Sequence, residues 1–297
     1  MMLLWGTQQL AVVAVSVPNY RSLGGIKCGD RVVRHNTILR SATPSNATAA
    51  DVAYLRGTLQ LASVVDLRAP EEALKDPGAR RLPEKVDHVY HSIFDEPMLR
   101  EGLQRKLLRS PLLLAVTGLL GLLRKLPART GRLRARLEAT RERKLASLLD
   151  RLALSDVYWW MLEGRGDELR AVLEQCATAT PLLLHCTHGK DRTGLVSALV
   201  LHVCGASRDA IVADYTASNE WGCSVEGRYI MEQMMPARLA GLFELDPWCE
   251  APPEAIEEVF AKVQAKYGSV DAYLDGIGFG AAQRQRLRDR LTEEATT

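Results

Sequence analysis

The stretch LLLHCTHGKDRTGL, residues 182–195, sets the tightest limit on what this chain can fold into. Three leucines in a row read as a strand buried on both faces, and apolar residues resume in a helix expected from about Arg192 to Cys204. A buried strand, a short polar loop and a helix in that order form one βα unit of an α/β domain. In such domains ligands bind beyond the carboxyl ends of the strands. Cys186 lies at one of those ends, where it could be an inert core thiol, a metal ligand with His185 and His188, or a nucleophile.

The rest of the chain repeats the pattern. LAVVAVSV (10–17), NTILR (36–40), LASVVDLR (61–68) and VDHVYHSI (86–93) are strand candidates, and Thr48 is a candidate N-cap for a helix between the second and third. Helices are expected near 155–163 and 166–178, the second with Leu169, Val172, Leu173 and Cys176 on one face. In 253–267, Ile256, Val259, Phe260, Val263 and Tyr267 form another apolar stripe, and the last ninety residues read as helices throughout. The expected fold class is α/β, a mainly parallel sheet flanked by helices, with a helical insertion and a helical C-terminal region.

The insertion is marked by charge. Lys and Arg number thirteen over 99–145 against three acids, among many leucines at helical spacing, while the whole chain carries only +2. The segment 99–150 is read as a basic, leucine-rich helical hairpin within a single domain over 1–297, with Pro111 and Pro127 bounding its tight section. It could be a packed hairpin, a lid, or a surface lying on an anionic membrane. Its longest apolar run, Leu112 to Leu123, is twelve residues, short of the roughly 20 that span a bilayer. The chain's start lacks the basic region of a signal peptide, and six cysteines are scattered without a Cys-x-x-Cys pair. Those features predict a cytoplasmic protein, and the small net charge predicts no nucleic-acid partner.

The loop itself suggests its chemistry. Five residues, Thr187, His188, Gly189, Lys190 and Asp191, separate Cys186 from Arg192. Such a loop can turn its backbone N–H groups inward, with Gly189 supplying positive φ, and so bind an oxyanion at a helix N-terminus. Arg192 can fork onto two phosphate oxygens. The same positive field favours the thiolate of Cys186, the form that attacks phosphorus. Thr193 could hydrogen-bond the sulfur and ease hydrolysis of a phosphocysteine, and Lys190 could add charge for a polyanionic substrate. A metal site would need a second Cys/His cluster, which is missing, and an inert thiol leaves the Cys-x5-Arg-Thr-Gly arrangement unexplained. A rhodanese-type sulfurtransferase also uses a strand-end cysteine, but with a different loop. No metal or cofactor is expected.

HCTHGKDRTG (185–194) resembles the signature loop of the Cys-x5-Arg protein tyrosine phosphatase superfamily. Its Gly-Lys-Asp-Arg-Thr-Gly form is similar to the atypical branch typified by the mycobacterial secreted phosphatase B. NYRSLGG (19–25), ILRSA (38–42), VVDLRAPEE (64–72), DYTASN (214–219) and YGSVDAYLDGIGF (267–279) resemble further elements of that branch, in its order. Ser22, Tyr20 and Ala42 depart from its usual Asp, Phe and Gly.

The resemblance implies a metal-independent phosphomonoesterase. Cys186 and Arg192 would be catalytic, with Thr187, His188, Gly189, Lys190, Thr193 and Gly194 around the phosphoryl group. For the proton donor it favours Asp191, whose other role would be to brace the loop by accepting backbone N–H bonds. Asp95, placed where dual-specificity phosphatases carry their acid, is the second candidate, and a donor other than these two is the third alternative. Asp66 and His185 would support the loop from behind. Phosphotyrosine (with phosphoserine and phosphothreonine) and phosphoinositides both suit such a site. The rival reading is a non-catalytic phosphate- or lipid-binding module built on the same loop.

Overall fold

The leucine run and the segments 36–40 and 61–68 meet as neighbours in one sheet. The computed structural model describes residues 15–76, 86–107, 131–149, 152–234 and 244–295. Most of the 10–17 strand candidate, the Leu112–Leu123 run, Pro111 and Pro127 lie outside those residues.

The strands are β1 (Arg21–Ser22), β2 (Lys27–Cys28), β3 (Arg31–Val33), β4 (Ile38–Ser41), β5 (Ser63–Asp66), β6 (Asp87–Tyr90), β7 (Leu182–His185) and β8 (Thr292–Glu294). One sheet runs β1-β4-β7-β5-β6, parallel at every pair except β1 with β4. The register sets Ser41, His185, Asp66 and Tyr90 level across it, so the parallel strands end together and Cys186 is the first residue beyond.

The leucines of β7 divide between two cores. Leu182 and Leu184 join Ile38 and Val65 on one face; Leu183 joins Leu39 and Val64 on the other. All three are fully buried, each worth about 1.5–3 kcal/mol of apolar burial. That explains why the run has no polar alternation. β6, at the edge, is only partly buried.

Helices cover the faces. Between β4 and β6 lie α1 (Ala49–Ala53) and α2 (Pro70–Lys75). As expected, Thr48 caps α1: its hydroxyl accepts from Asp51 N and the Asp51 carboxylate accepts from Thr48 N. The basic segment contributes α3 (Glu96–Leu107) and α4 (Gly131–Leu149), and Leu133 of α4 is exposed rather than packed on the domain. Then come α5 (Leu154–Gly164), α6 (Gly166–Thr178) and α7 (Asp191–Cys204), the last buried around nearly its whole circumference. After it follow α8 (Arg208–Thr216), α9 (Asn219–Gly222), α10 (Val225–Met234), α11 (Asp246–Cys249), α12 (Pro253–Tyr267), α13 (Val270–Gly276) and α14 (Ala281–Leu291). The faces expected of α6 and α12 are the buried ones, except that Tyr267 is only half-buried.

The expectation of helices to the end is corrected at β8, which pairs antiparallel with β3 in a second sheet, β2-β3-β8. Thr-Glu-Glu has no strand pattern of its own. Its pairing is imposed by β3 and by Arg31, whose guanidinium donates to Thr292 Oγ1 and to the Thr292 carbonyl.

Candidate active site

The loop after β7 is held from outside by two distant segments. Asn19 Nδ2 donates to the His188 carbonyl (2.9 Å) and Arg40 Nη2 to the Gly189 carbonyl (2.7 Å). With those carbonyls held, the Gly189 N–H points to Cys186 Sγ, which it meets at 3.2 Å. Gly189 has φ +66°, and a Cβ there would lie 2.3 Å from the Ser41 backbone. Two demands therefore converge on glycine at this position.

Arg40 is itself oriented. It is fully buried on β4, its Nη1 pairs with Asp214, and Arg21 Nε donates to the other oxygen of that carboxylate at 3.0 Å. Ser218 Oγ accepts from Arg21 Nη2 at 3.0 Å. The elements NYRSLGG, ILRSA and DYTASN thus form one brace behind the loop.

Arg192, in the first turn of α7, is buried and gives Nη1 and Nη2 to the Glu72 carboxylate, which also accepts from Thr187 Oγ1 at 2.9 Å. Burial works to raise the Glu72 carboxyl, but Arg192 and the hydrogen bonds outweigh it and hold the group below the usual carboxylate range. Glu72 also accepts from Ala69 N, which fixes it in the first turn of α2. Glu72 ends the VVDLRAPEE element, whose resemblance carries no role for this acid. A buried arginine needs an anionic partner, and that requirement is the signal that would have found it.

Behind the loop, Asp66 is paired with Arg68, and His185 Nε2 lies 3.7 Å from the Asp66 carboxylate. Burial above all lowers His185 to about 4, so it is neutral at pH 7. Between pH 6.5 and about 4 the unfolded chain binds a proton there that the folded chain does not, so stability falls as the pH drops through that window. At 1.36 kcal/mol per pK unit the ceiling is roughly 3 kcal/mol. Urea melts at pH 7 and 4.5 should show this loss, and His185→Gln should reduce it. Equal losses in the two proteins would remove His185 as its source.

The remaining expected residues are distributed unevenly. Lys190 is 1% exposed and gives Nζ to the carbonyls of Trp248 (2.6 Å) and Glu250 (2.7 Å). His188 Nε2 meets the Gly227 carbonyl at 3.0 Å. Lys190, expected to add charge for a polyanionic substrate, is instead turned toward α11 and the chain that follows. Thr193 Oγ1 is buried with no hydrogen-bond partner among the described residues, Cys186 Sγ included. At Gly194 a Cβ would lie 2.9 Å from the Tyr215 ring, so its small size gives clearance to that ring.

The two candidate acids also separate. The Asp95 carboxylate accepts from Met98 N and pairs with Arg165, which makes it a cap on α3. Asp191 Oδ1 accepts from Tyr158 O–H at 2.7 Å and lies 3.4 Å from Lys190 Nζ. Among the described residues no backbone N–H donates to the Asp191 carboxylate, as bracing the loop would require. No group of three His, Cys, Asp or Glu side chains among the described residues is arranged to hold a metal ion.

A family model described as "Tyrosine phosphatase family" matches residues 13–293. The chain belongs to the tyrosine phosphatase family. This family member is 28% identical over 284 residues to a Cupriavidus necator protein named as a tyrosine-protein phosphatase, across 94% of this chain and 87% of that one. It is 34% identical over 139 residues to the triple specificity protein phosphatase PtpB of Mycobacterium tuberculosis, across 43% of this chain and 50% of PtpB. A Nostoc commune tyrosine-protein phosphatase is 27% identical over 161 residues, half of this chain. The chain is thus a protein-tyrosine-phosphatase-like enzyme, and a phosphorylated molecule is its substrate. No helix among its described residues is long and apolar enough to cross a membrane.

Proposed function

We propose that this phosphatase hydrolyses phosphomonoesters through a phosphocysteine on Cys186, with phosphotyrosine as the preferred ester. The carrying observation is the alignment of Cys186 Sγ with an inward loop N–H, beside an Arg192 whose outer edge Glu72 already fixes. Glu72 takes Nη1 and Nη2, which leaves the Nε–H edge of Arg192 for phosphoryl oxygens. The thiolate attacks phosphorus while the loop N–H groups and Arg192 bind the equatorial oxygens, and Asp191 gives its proton to the departing ester oxygen. Water then attacks the phosphocysteine, Asp191 takes the water's proton, and Thr193, with its hydroxyl free of other partners among the described residues, assists release of the sulfur.

Phosphotyrosine is preferred over phosphoinositides because the added positive charge that a polyphosphorylated headgroup needs is committed elsewhere. Lys190 is spent on two carbonyls and His188 on a third. In this reading 99–150 is an insertion in a single phosphatase domain. A peripheral contact of 99–145 with an anionic membrane rests on its charge alone.

The test is a panel of phosphotyrosine, phosphoserine and phosphothreonine peptides with phosphoinositides, run with and without a chelator. The expected result is turnover led by phosphotyrosine and indifferent to chelation. PtpB, by its name a triple specificity phosphatase, makes weaker turnover of the other two peptides the expected second signal. Phosphoinositide turnover well above phosphotyrosine would reverse the substrate order. No turnover of any ester would favour a binding module, and loss of activity on chelation would sink the metal-free route.

A further inference from the structure

Two buried tyrosines, Tyr158 and the Tyr215 of DYTASN, form a hydrogen-bonded chain that ends on Asp191. Tyr158 from α5 is fully buried and donates its O–H to Asp191 Oδ1 at 2.7 Å. Tyr215 from α8 is 1% exposed, and its hydroxyl lies 2.6 Å from that of Tyr158. Since the Tyr158 proton is directed to the carboxyl, Tyr215 is the donor of the second bond. The phenols therefore form an ordered chain, Tyr215 to Tyr158 to Asp191. Their rings meet edge to face with centroids 6.1 Å apart, and Tyr215 packs on Gly194 one turn along from Asp191. Burial, and then the Asp191 charge, pushes both phenols well above their ordinary value, so both remain donors.

We propose that Tyr158, backed by Tyr215, is a positioning residue that selects which oxygen of Asp191 performs proton transfer. The proposal rests on the reading of Asp191 as the acid. A carboxyl whose Oδ1 already accepts a hydrogen bond carries its transferable proton on Oδ2. In the first step the Oδ2–H bond breaks, the proton goes to the ester oxygen, and the negative charge left on Asp191 is met by the Tyr158 O–H and by Lys190 Nζ at 3.4 Å. In the second step the carboxylate recovers a proton from the attacking water. Neither phenol changes protonation state. They hold the carboxyl at one angle, and a small misplacement at this point is enough to slow proton transfer.

The test compares wild type, Tyr158→Phe, Asp191→Asn and the double variant on p-nitrophenyl phosphate, whose leaving group departs unaided, and on an alkyl phosphate, whose leaving group must be protonated. The expected Tyr158→Phe loss falls in kcat rather than KM, and is about tenfold larger on the alkyl ester. The double variant should be no slower than Asp191→Asn, because Tyr158 acts only through Asp191. Equal Tyr158→Phe losses on both esters, or losses that multiply in the double variant, would overturn the positioning role while leaving Asp191 as the acid. An Asp191→Asn variant without leaving-group selectivity would instead remove the acid reading, and the positioning role with it. If Tyr158→Phe does not fold, as judged by its thermal melt, Tyr215→Phe carries the same comparison from one hydrogen bond further out.

Discussion

Replacing Cys186 with serine is expected to abolish measurable turnover, a loss of at least about 10⁴-fold, while leaving binding of a phosphorylated ligand intact. The two effects separate because the groups that bind and the atom that reacts are different. The loop is fixed by Asn19 and Arg40 acting on carbonyls, and Arg192 is fixed by Glu72, through hydrogen bonds that do not involve the sulfur. A serine hydroxyl can accept the Gly189 N–H that now meets Sγ at 3.2 Å, so the loop keeps its shape. The hydroxyl is a poor nucleophile without an adjacent base. His185, the nearest imidazole in sequence, is buried behind the loop beside Asp66. Isothermal titration with phosphotyrosine peptide and a kinetic assay together check the prediction. Retained turnover would place the nucleophile elsewhere, and lost binding would mean that the sulfur holds the loop together.

Arg192→Lys is expected to lower kcat by about 10³-fold, even though it conserves charge. A guanidinium can give one edge to Glu72 and another to a phosphoryl group at the same time. An ammonium is a point charge and must choose. With Glu72 and Thr187 already hydrogen-bonded to each other at 2.9 Å, lysine would stay with the carboxylate and leave the phosphoryl oxygens short of a donor. The complementary variant Glu72→Gln keeps Arg192 but loosens its fixed edge, and a smaller loss is expected. Steady-state kinetics on a phosphotyrosine peptide decide this. A Glu72→Gln variant as slow as Arg192→Lys would show that Glu72 does more than orient the arginine.

The strand-loop-helix unit around Cys186 was readable in the sequence because its physics is local. A buried strand, a glycine with positive φ and an arginine at a helix start are nearest neighbours along the chain, so LLLHCTHGKDRTG announces the cradle by itself. Residues that act from a distance were harder to see. Asn19, Arg40 and Asp214 lie within NYRSLGG, ILRSA and DYTASN, but their joint hold on the His188 and Gly189 carbonyls needs the fold to bring them together. Glu72 and Tyr158 are 120 and 33 residues from their partners and carry no spacing pattern. Lys190 was read by its charge, and only the fold reveals two carbonyls waiting for it. β8 was missed for the same reason, since its partner strand lies at the opposite end of the chain.

The brace behind the loop has a consequence for how the enzyme is made. A nascent chain that has emerged through residue 204 carries the whole signature and its helix. It still lacks Asp214, which orients Arg40, and the carbonyls of Trp248 and Glu250 that hold Lys190. Contacts this far apart in sequence are entropically expensive to close early and form with the complete domain. While such a chain is still on the ribosome, Cys186 is already present but the contacts that hold its loop are not. The loop is held in full only when the C-terminal helices arrive.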